Sequence, residues 1–230
     1  MSIVYDAAGV TVEGPDGPRV VLEPTTLELT ERRIGVIGAN GSGKSTLARM
    51  VNGLVTPTTG RVLVDGHDAA RQGREVRRRV GFCFTDPAAQ LVMPTCVEDV
   101  ELSLRRHEKN AARRHDRALE VLARYGLADH ADVSVHALSG GQKQLLALAG
   151  VLAVEPAVDV ADEPTTLLDL ANTRRVADLL FGLDQQLVLV THDLELARRC
   201  ERVLVVEDAR VRYDGTADAA VDDYLASVAS

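Results

Sequence analysis

Apolar and polar positions along the chain change their period several times. Short apolar–polar alternations come first, at residues 10–12, 20–22 and 27–30, with a Gly14-Pro15-Asp16-Gly17 turn signal between the first two. Alternation over so few residues predicts short β-strands joined by tight turns. Residues 33–37 form a continuous apolar strand that runs into a glycine-rich turn. From 44 to 52 the spacing turns helical, and Gly53 stops it. Residues 60–64 predict a strand ending in an Asp65-Gly66 turn, and 79–84 predict another. Beyond Pro87 the texture changes. Leu102, Leu104, Leu119, Leu122 and Tyr125 recur among charges over 97–125, which is amphipathic helix spacing, and a second helical run covers 141–153. Strand character returns at 157–161, 187–190 and 203–206, and 217–226 reads as a closing helix. The runs at 157–161 and 187–190 are read as apolar runs, Asp159 aside, as expected of strands buried on both faces of a parallel sheet. The pattern is a βα-rich core flanking an all-helical insert.

Composition narrows the function classes. The chain has 230 residues, a formal net charge of -8, 46% hydrophobic residues and only 3% aromatics, with no Trp. That size and apolar content support a sizeable core, built from Val, Leu and Ala. The acidic balance argues against a nucleic-acid partner, which needs excess Lys and Arg. Arginine is dense at 71–79 and 105–117, which reads as a solvated face. Cys83, Cys96 and Cys200 are few and far apart, so they are expected to be free thiols. No signal peptide, bilayer-length apolar run or appended domain is expected.

Three motifs carry chemistry. Gly38-Ala39-Asn40-Gly41-Ser42-Gly43-Lys44-Ser45 fits G-x-x-x-x-G-K-[ST], placed after a strand and opening a helix. Glycines there let successive N–H groups turn toward phosphate oxygens, and the helix start favours an anion. Lys44 is expected on the β- and γ-phosphates and the Ser45 hydroxyl on Mg²⁺, with Thr46 following in the same turn. Residues 157–161 end in Asp162-Glu163. A strand-end Asp beside such a loop helps to hold Mg²⁺, and Glu163 is placed to polarise an attacking water. Leu138-Ser139-Gly140-Gly141-Gln142 opens a helix and offers a second anion cradle.

That last run is identical to the signature sequence of ABC ATPases, and the chain resembles that family over essentially its whole length. Glu163-Pro164-Thr165-Thr166-Leu167-Leu168-Asp169 is similar to the family's segment with an inter-subunit aspartate, here Asp169. Val190-Thr191-His192-Asp193 is similar to its switch-histidine segment. The resemblance implies an α/β fold. It comprises a P-loop NTPase (RecA-like) core with N-terminal antiparallel β strands and an inserted α-helical subdomain, the core being 1–86 and 155–230 and the insert 87–154. It also implies ATP and Mg²⁺ as ligands and a head-to-tail dimer. ATP held by Gly38, Asn40, Gly41, Ser42, Gly43, Lys44, Ser45 and Thr46 of one copy would be covered by Ser139, Gly140, Gly141 and Gln142 of the other. His192 would contact the γ-phosphate and orient Glu163, the catalytic pair.

Two positions depart from the family pattern. Thr85, in Phe82-Cys83-Phe84-Thr85, stands where the family has a Gln that touches Mg²⁺. Gln90 is too far along to replace it. Val12 falls where an aromatic residue usually stacks on adenine, which suggests apolar contact without stacking. Tyr5 is the nearby aromatic.

The stretch Asp86-Pro87-Ala88-Ala89-Gln90 through Pro94-Thr95 and Val97-Glu98-Asp99-Val100 resembles the ATPases of energy-coupling-factor (ECF) importers of vitamins and metals. Residues 84–85, 144–153 and 162–169 look most like the biotin-importer ATPase. That likeness implies a membrane coupling (T) subunit and a small substrate-binding membrane (S) subunit as partners. It also implies a peripheral position on the cytoplasmic face of the membrane, with docking around 85–95. A conventional ABC importer or an exporter shares every catalytic motif and stays open. A soluble ABC ATPase of translation or DNA repair usually has tandem ATPase domains or a long coiled coil, and neither is visible here. A non-catalytic subunit would not need Lys44, Asp162, Glu163 and His192 together.

Overall fold

A computed structural model describes residues 1–15 and 17–229. Asp16 of the expected 14–17 turn, and Ser230, lie outside the described residues. The chain forms two compact units, Met1–Gly81 with Ala157–Glu163 and Leu183–Ser230, and Phe82–Pro156 with Pro164–Gly182.

The first unit is built on two sheets. Strands β1 (Ile3–Gly14), β2 (Gly17–Leu29), β4 (Thr59–Val64) and β5 (His67–Asp68) form an antiparallel sheet in the order β2-β1-β4-β5. The separate strands expected at 20–22 and 27–30 are one strand, β2, and β1 extends well beyond 10–12. The polar Glu23-Pro24-Thr25-Thr26 stretch hid that continuity. The β1–β2 register shifts between Ala8/Thr25 and Val10/Leu22, so the residues around Pro24 bulge where proline would otherwise cost a ladder bond. Asp65 and Gly66 turn with positive φ, 46° and 77°, as a two-residue hairpin requires.

The second sheet has the order β10-β9-β3-β8-β7-β6, with β3 (Arg33–Ile37), β6 (Val80–Cys83), β7 (Val158–Asp162), β8 (Gln186–Val190), β9 (Arg202–Glu207) and β10 (Arg210–Thr216). β3 pairs in parallel with both β8 and β9, and β7 pairs in parallel with β8. Every residue of β3, β7 and β8 is buried, including Asp159 and Asp162 of β7, and apolar residues fill most of their positions. Helices α1 (Lys44–Val51), α2 (Gly73–Val76), α7 (Leu194–Arg198) and α8 (Ala217–Val228) complete this unit. The architecture is the α/β one that the sequence predicts.

The second unit is helical, with α3 (Cys96–Leu104), α4 (Ala111–Arg124), α5 (Gly140–Leu152) and α6 (Leu170–Phe181). The helical run expected over 97–125 is thus two helices. Asn110 caps the second, accepting from the Arg113 N–H. α5 is buried almost all round, so it forms the centre of this unit. Residues 164–182 pack here, whereas the resemblance places them in the core. The Arg175 guanidinium donates to the Tyr125 carbonyl at 2.8 Å and ties α6 to the end of α4.

All three cysteines are buried thiols, and burial pushes the Cys200 thiol up to about 12. No helix among the described residues is long and apolar enough to cross a membrane.

Candidate functional site

In the first unit the glycine-rich turn connects β3 to α1. Gly38 has φ 141° and a Cβ there would lie 2.0 Å from the Val206 carbonyl oxygen. Gly43 has φ 110°, and a Cβ would come within 2.8 Å of the Val21 carbonyl oxygen. Both positions therefore need glycine, for conformation and for space. α1 starts without a side-chain cap, so its first N–H groups are not satisfied by a side chain of the turn. The Ser42 hydroxyl is buried with no hydrogen-bond partner among the described residues. A buried orphan donor in a ring of backbone N–H groups is the signature of a site shaped for an anion.

The Lys44 ammonium folds back over the turn and donates to the Gly38 and Ala39 carbonyls, each at 2.8 Å. Burial lowers its pKa, while the charges of Glu163 and Asp162 act in the opposite direction. An arriving polyphosphate would offer it stronger, charged acceptors than these carbonyls. Beside the turn lies a cavity of about 330 Å³ between Arg19–Val21 of β2 and the β9–β10 turn at 207–209.

β7 carries its two carboxylates to the same end of the sheet. Asp162 is wholly buried; it accepts the Ser45 hydroxyl at 2.8 Å on one oxygen and the Arg49 guanidinium at 3.0 Å on the other. Glu163 leaves the strand in the left-handed region, φ 54°, a costly conformation for a side-chain-bearing residue. Its N–H donates to Val190 O at 3.0 Å, which fixes it against the end of β8. His192, just beyond β8, places Nδ1 2.7 Å from Glu163 Oε2. A carboxylate only accepts, so Nδ1 carries the proton of that bond. The structure thus brings Lys44, Ser45, Asp162, Glu163 and His192 together around one turn. Asn40 and Gly41 are exposed at its tip, and Thr46 is half-buried on α1.

Arg49 is a member of this cluster that the sequence reading missed. Ser45 and Arg49 are four residues apart on α1, so they share a face, and that spacing was the available signal. Tyr5 is a core residue: its hydroxyl donates to Leu47 O at 2.8 Å and burial raises its pKa, so it presents no ring to a ligand. Val12 is exposed on β1, opposite Arg19.

The second unit holds the other cradle. Ser139 caps α5 and accepts from the Gln142 N–H at 3.3 Å, while Ser139 N donates to Gln142 Oε1 at 2.9 Å. This reciprocal box leaves Gly140 and Gly141 as the first residues of the helix. A Cβ on Gly141 would lie 2.5 Å from Asn172 Cγ, so the turn rests directly on the Asn172 amide. Asp169 caps α6, accepting from Asn172 N and Asn172 Nδ2, each at 2.9 Å. These bonds hold its carboxyl below the usual carboxylate range. Asn172 therefore links Asp169 to the signature turn, which sequence motifs alone did not indicate.

Thr85 follows β6, half-buried, ahead of a helical turn at Pro87–Ala89 capped by Asp86. The Gln90 amide donates to Ala147 O at 3.0 Å and accepts from Phe84 N at 3.3 Å, so it serves to tie this loop to α5. Asp99 is buried and accepts from the N–H groups of Val92 and Met93, fixing the loop that precedes α3.

The family model described as ABC transporter matches residues 23–166. The biotin transport ATP-binding protein BioM of Rhizobium etli is 45% identical over 224 residues, which are 97% of this chain and 98% of that protein. The solved structure of the ATP-binding cassette MJ0796, dimeric in a post-hydrolysis state with ADP and Pi, matches with TM-score 0.84 at 30% identity. It covers 94% of this chain and 99% of its own. That of cbiO1 from Clostridium perfringens, part of the ABC transporter complex cbiONQ, matches with TM-score 0.81 at 28% identity, covering 98% of this chain and 93% of its own.

Proposed function

The chain belongs to the ABC transporter family as an ATP-binding ATPase subunit, and from that premise we propose that it energises an ECF-type importer of a vitamin, biotin. The observation that carries the ATPase chemistry is the meeting of Ser45 with Asp162 and of His192 with Glu163 around the Lys44 turn. The likeness to BioM and to cbiO1, and the 86–100 segment, support the importer class and the cargo.

In this reading Gly38 to Thr46 receive the triphosphate and Lys44 exchanges its two carbonyl acceptors for phosphate oxygens. The pairing of a hydroxyl with a carboxylate oxygen is a hard-oxygen donor set that suits Mg²⁺, which would be held by Ser45 and Asp162. Bound there, Mg²⁺ would supply positive charge to offset that of the phosphate oxygens. Glu163, fixed by its backbone bond to Val190 and by His192, accepts a proton from the attacking water. A neutral His192 bound through Nδ1 presents a lone pair at Nε2, so engaging the γ-phosphate there calls for the doubly protonated ring. Ser139, Gly140, Gly141 and Gln142 would cover the nucleotide of a second copy, and Asp169 would lie at that contact. The dimeric state of MJ0796 supports the pairing of two copies. The loop from Thr85 to Thr95 would receive the membrane T subunit, which works with a small S subunit, at the cytoplasmic face.

The test is reconstitution of the chain with the membrane proteins it co-purifies with, followed by uptake of labelled biotin. ATP-dependent accumulation abolished by Glu163→Gln is expected. Turnover that energises another cargo, with no biotin uptake, would keep the ATPase and sink the cargo.

A further inference from the structure

The Gln142 side chain has a second partner. Its Nε2 lies 2.9 Å from Nε2 of His130, the last residue of a helical turn at Ala128–His130. The direction of that bond follows from the rest of the box. Ser139 N can only donate, so Gln142 must turn its oxygen to Ser139 and its NH₂ to the imidazole. His130 Nε2 is therefore the acceptor, and the ring proton sits on Nδ1, which is buried and has no partner among the described residues. An imidazole that left Nδ1 bare and put its proton on Nε2 would set two donors against each other. The position thus needs an acceptor at the end of its side chain.

We propose that His130 is a positioning residue for the signature turn. By accepting from Gln142 Nε2, it holds that amide in the one orientation in which Gln142 Oε1 closes the capping box on Ser139. With that acceptor missing, the Gln142 side chain turns to solvent, Ser139 N loses its partner, and the first turn of α5 frays. Gly140 and Gly141 then no longer present fixed N–H groups. The inference rests on the reading that this turn covers nucleotide, and it adds a residue through which the turn is held.

Three variants of the full chain separate acceptor chemistry from packing. The Gln Oε1 atom lies the same number of bonds from Cα as His Nε2, whereas Asn Oδ1 corresponds to His Nδ1. His130→Gln should therefore hydrolyse ATP within about twofold of wild type, while His130→Asn and His130→Leu should fall about tenfold, the factor one hydrogen bond supplies. Binding of a fluorescent ATP analogue by the isolated chain should be the same in all three, because the Lys44 turn is untouched. Histidine ¹⁵N NMR of the wild type should show the His130 proton on Nδ1, a readout independent of how any variant folds. A proton on Nε2, a folded His130→Leu at wild-type rate, or His130→Gln as impaired as His130→Asn would each overturn the proposal. Ser139→Ala and Gln142→Ala are the separate arm. If both hydrolyse ATP normally, the role of the signature turn itself fails. If they are impaired while the His130 variants are not, only His130 is wrong.

Discussion

Asp162 divides its two oxygens between Ser45 and Arg49, at 2.8 and 3.0 Å, while its own side chain is wholly buried. The cost of burying that carboxyl group is offset by these two bonds, one to a neutral and one to a charged partner. The Ser45 hydroxyl and the Asp162 oxygen that it reaches are the pair proposed for Mg²⁺, and Arg49 keeps the second oxygen turned away from them.

Arg49→Met should therefore cost stability without touching nucleotide directly. The Arg49 side chain is 40% exposed, so the loss is expected at about 1–2 kcal/mol, below that of a fully buried pair. Thermal unfolding of the two proteins checks this, and an unchanged midpoint would show that the pair contributes nothing.

Glu163→Gln keeps shape and loses the base. Hydrolysis should fall by about 10²–10⁴-fold with ATP binding preserved, read by phosphate release and nucleotide titration. Lys44→Ala should show the reverse order of damage, with ATP affinity lost first. Wild-type turnover in the first variant, or wild-type affinity in the second, would remove that residue from the mechanism.

Gly141→Ala sets a methyl group against the Asn172 amide, which is held by Asp169. The helix tolerates alanine there, so the damage should come from displacing Asn172. ATP turnover should drop in Gly141→Ala and recover in part in Gly141→Ala/Asn172→Ser, where room has been made. Additive losses in the double variant would contradict the link.

Asp159 stands mid-strand in β7, 3% exposed, with one carboxyl oxygen unpartnered, and burial pushes its pKa from 3.8 to about 7. Between those values the folded chain holds a proton that the unfolded chain has released. Stability contributed by this group is thus full below about pH 4 and is lost as pH rises through about 7. The penalty at pH 8 is on the order of 4 kcal/mol at most. Asp159→Val should unfold at higher denaturant concentration than wild type at pH 8, with the gap closing toward pH 4. A gap independent of pH would assign the effect to packing.

Much of the site could be read in the sequence because its chemistry is local. Gly38 to Thr46, Asp162-Glu163 and Ser139 to Gln142 are contiguous runs whose spacing sets their geometry. Strands β3 and β8 announced themselves by apolar runs behind a single polar first residue, and β7 by apolar residues around Asp159. What stayed hidden depends on contacts distant in sequence or on irregular backbone. The β1–β2 hairpin was cut into pieces because its bulges break the period of two. Arg49, Asn172 and His130 are polar residues with no motif of their own. Each matters only through a partner, respectively 113, 3 and 12 positions away. Of these, Asn172 could have been suggested by its spacing from Asp169 and Arg49 by its spacing from Ser45, whereas His130 had no such signal.

The position of β3 has a consequence for the birth of the protein. The strand that delivers the nucleotide turn is flanked by β8 and β9, and the carbonyl that walls in Gly38 belongs to Val206. A nascent chain carries the complete lysine-bearing sequence before a quarter of it has been made, yet the pocket can close only after residue 209 has left the ribosome. Nucleotide can therefore stabilise the finished domain but cannot template its early folding, and a chain broken off before β9 is released without ligand protection.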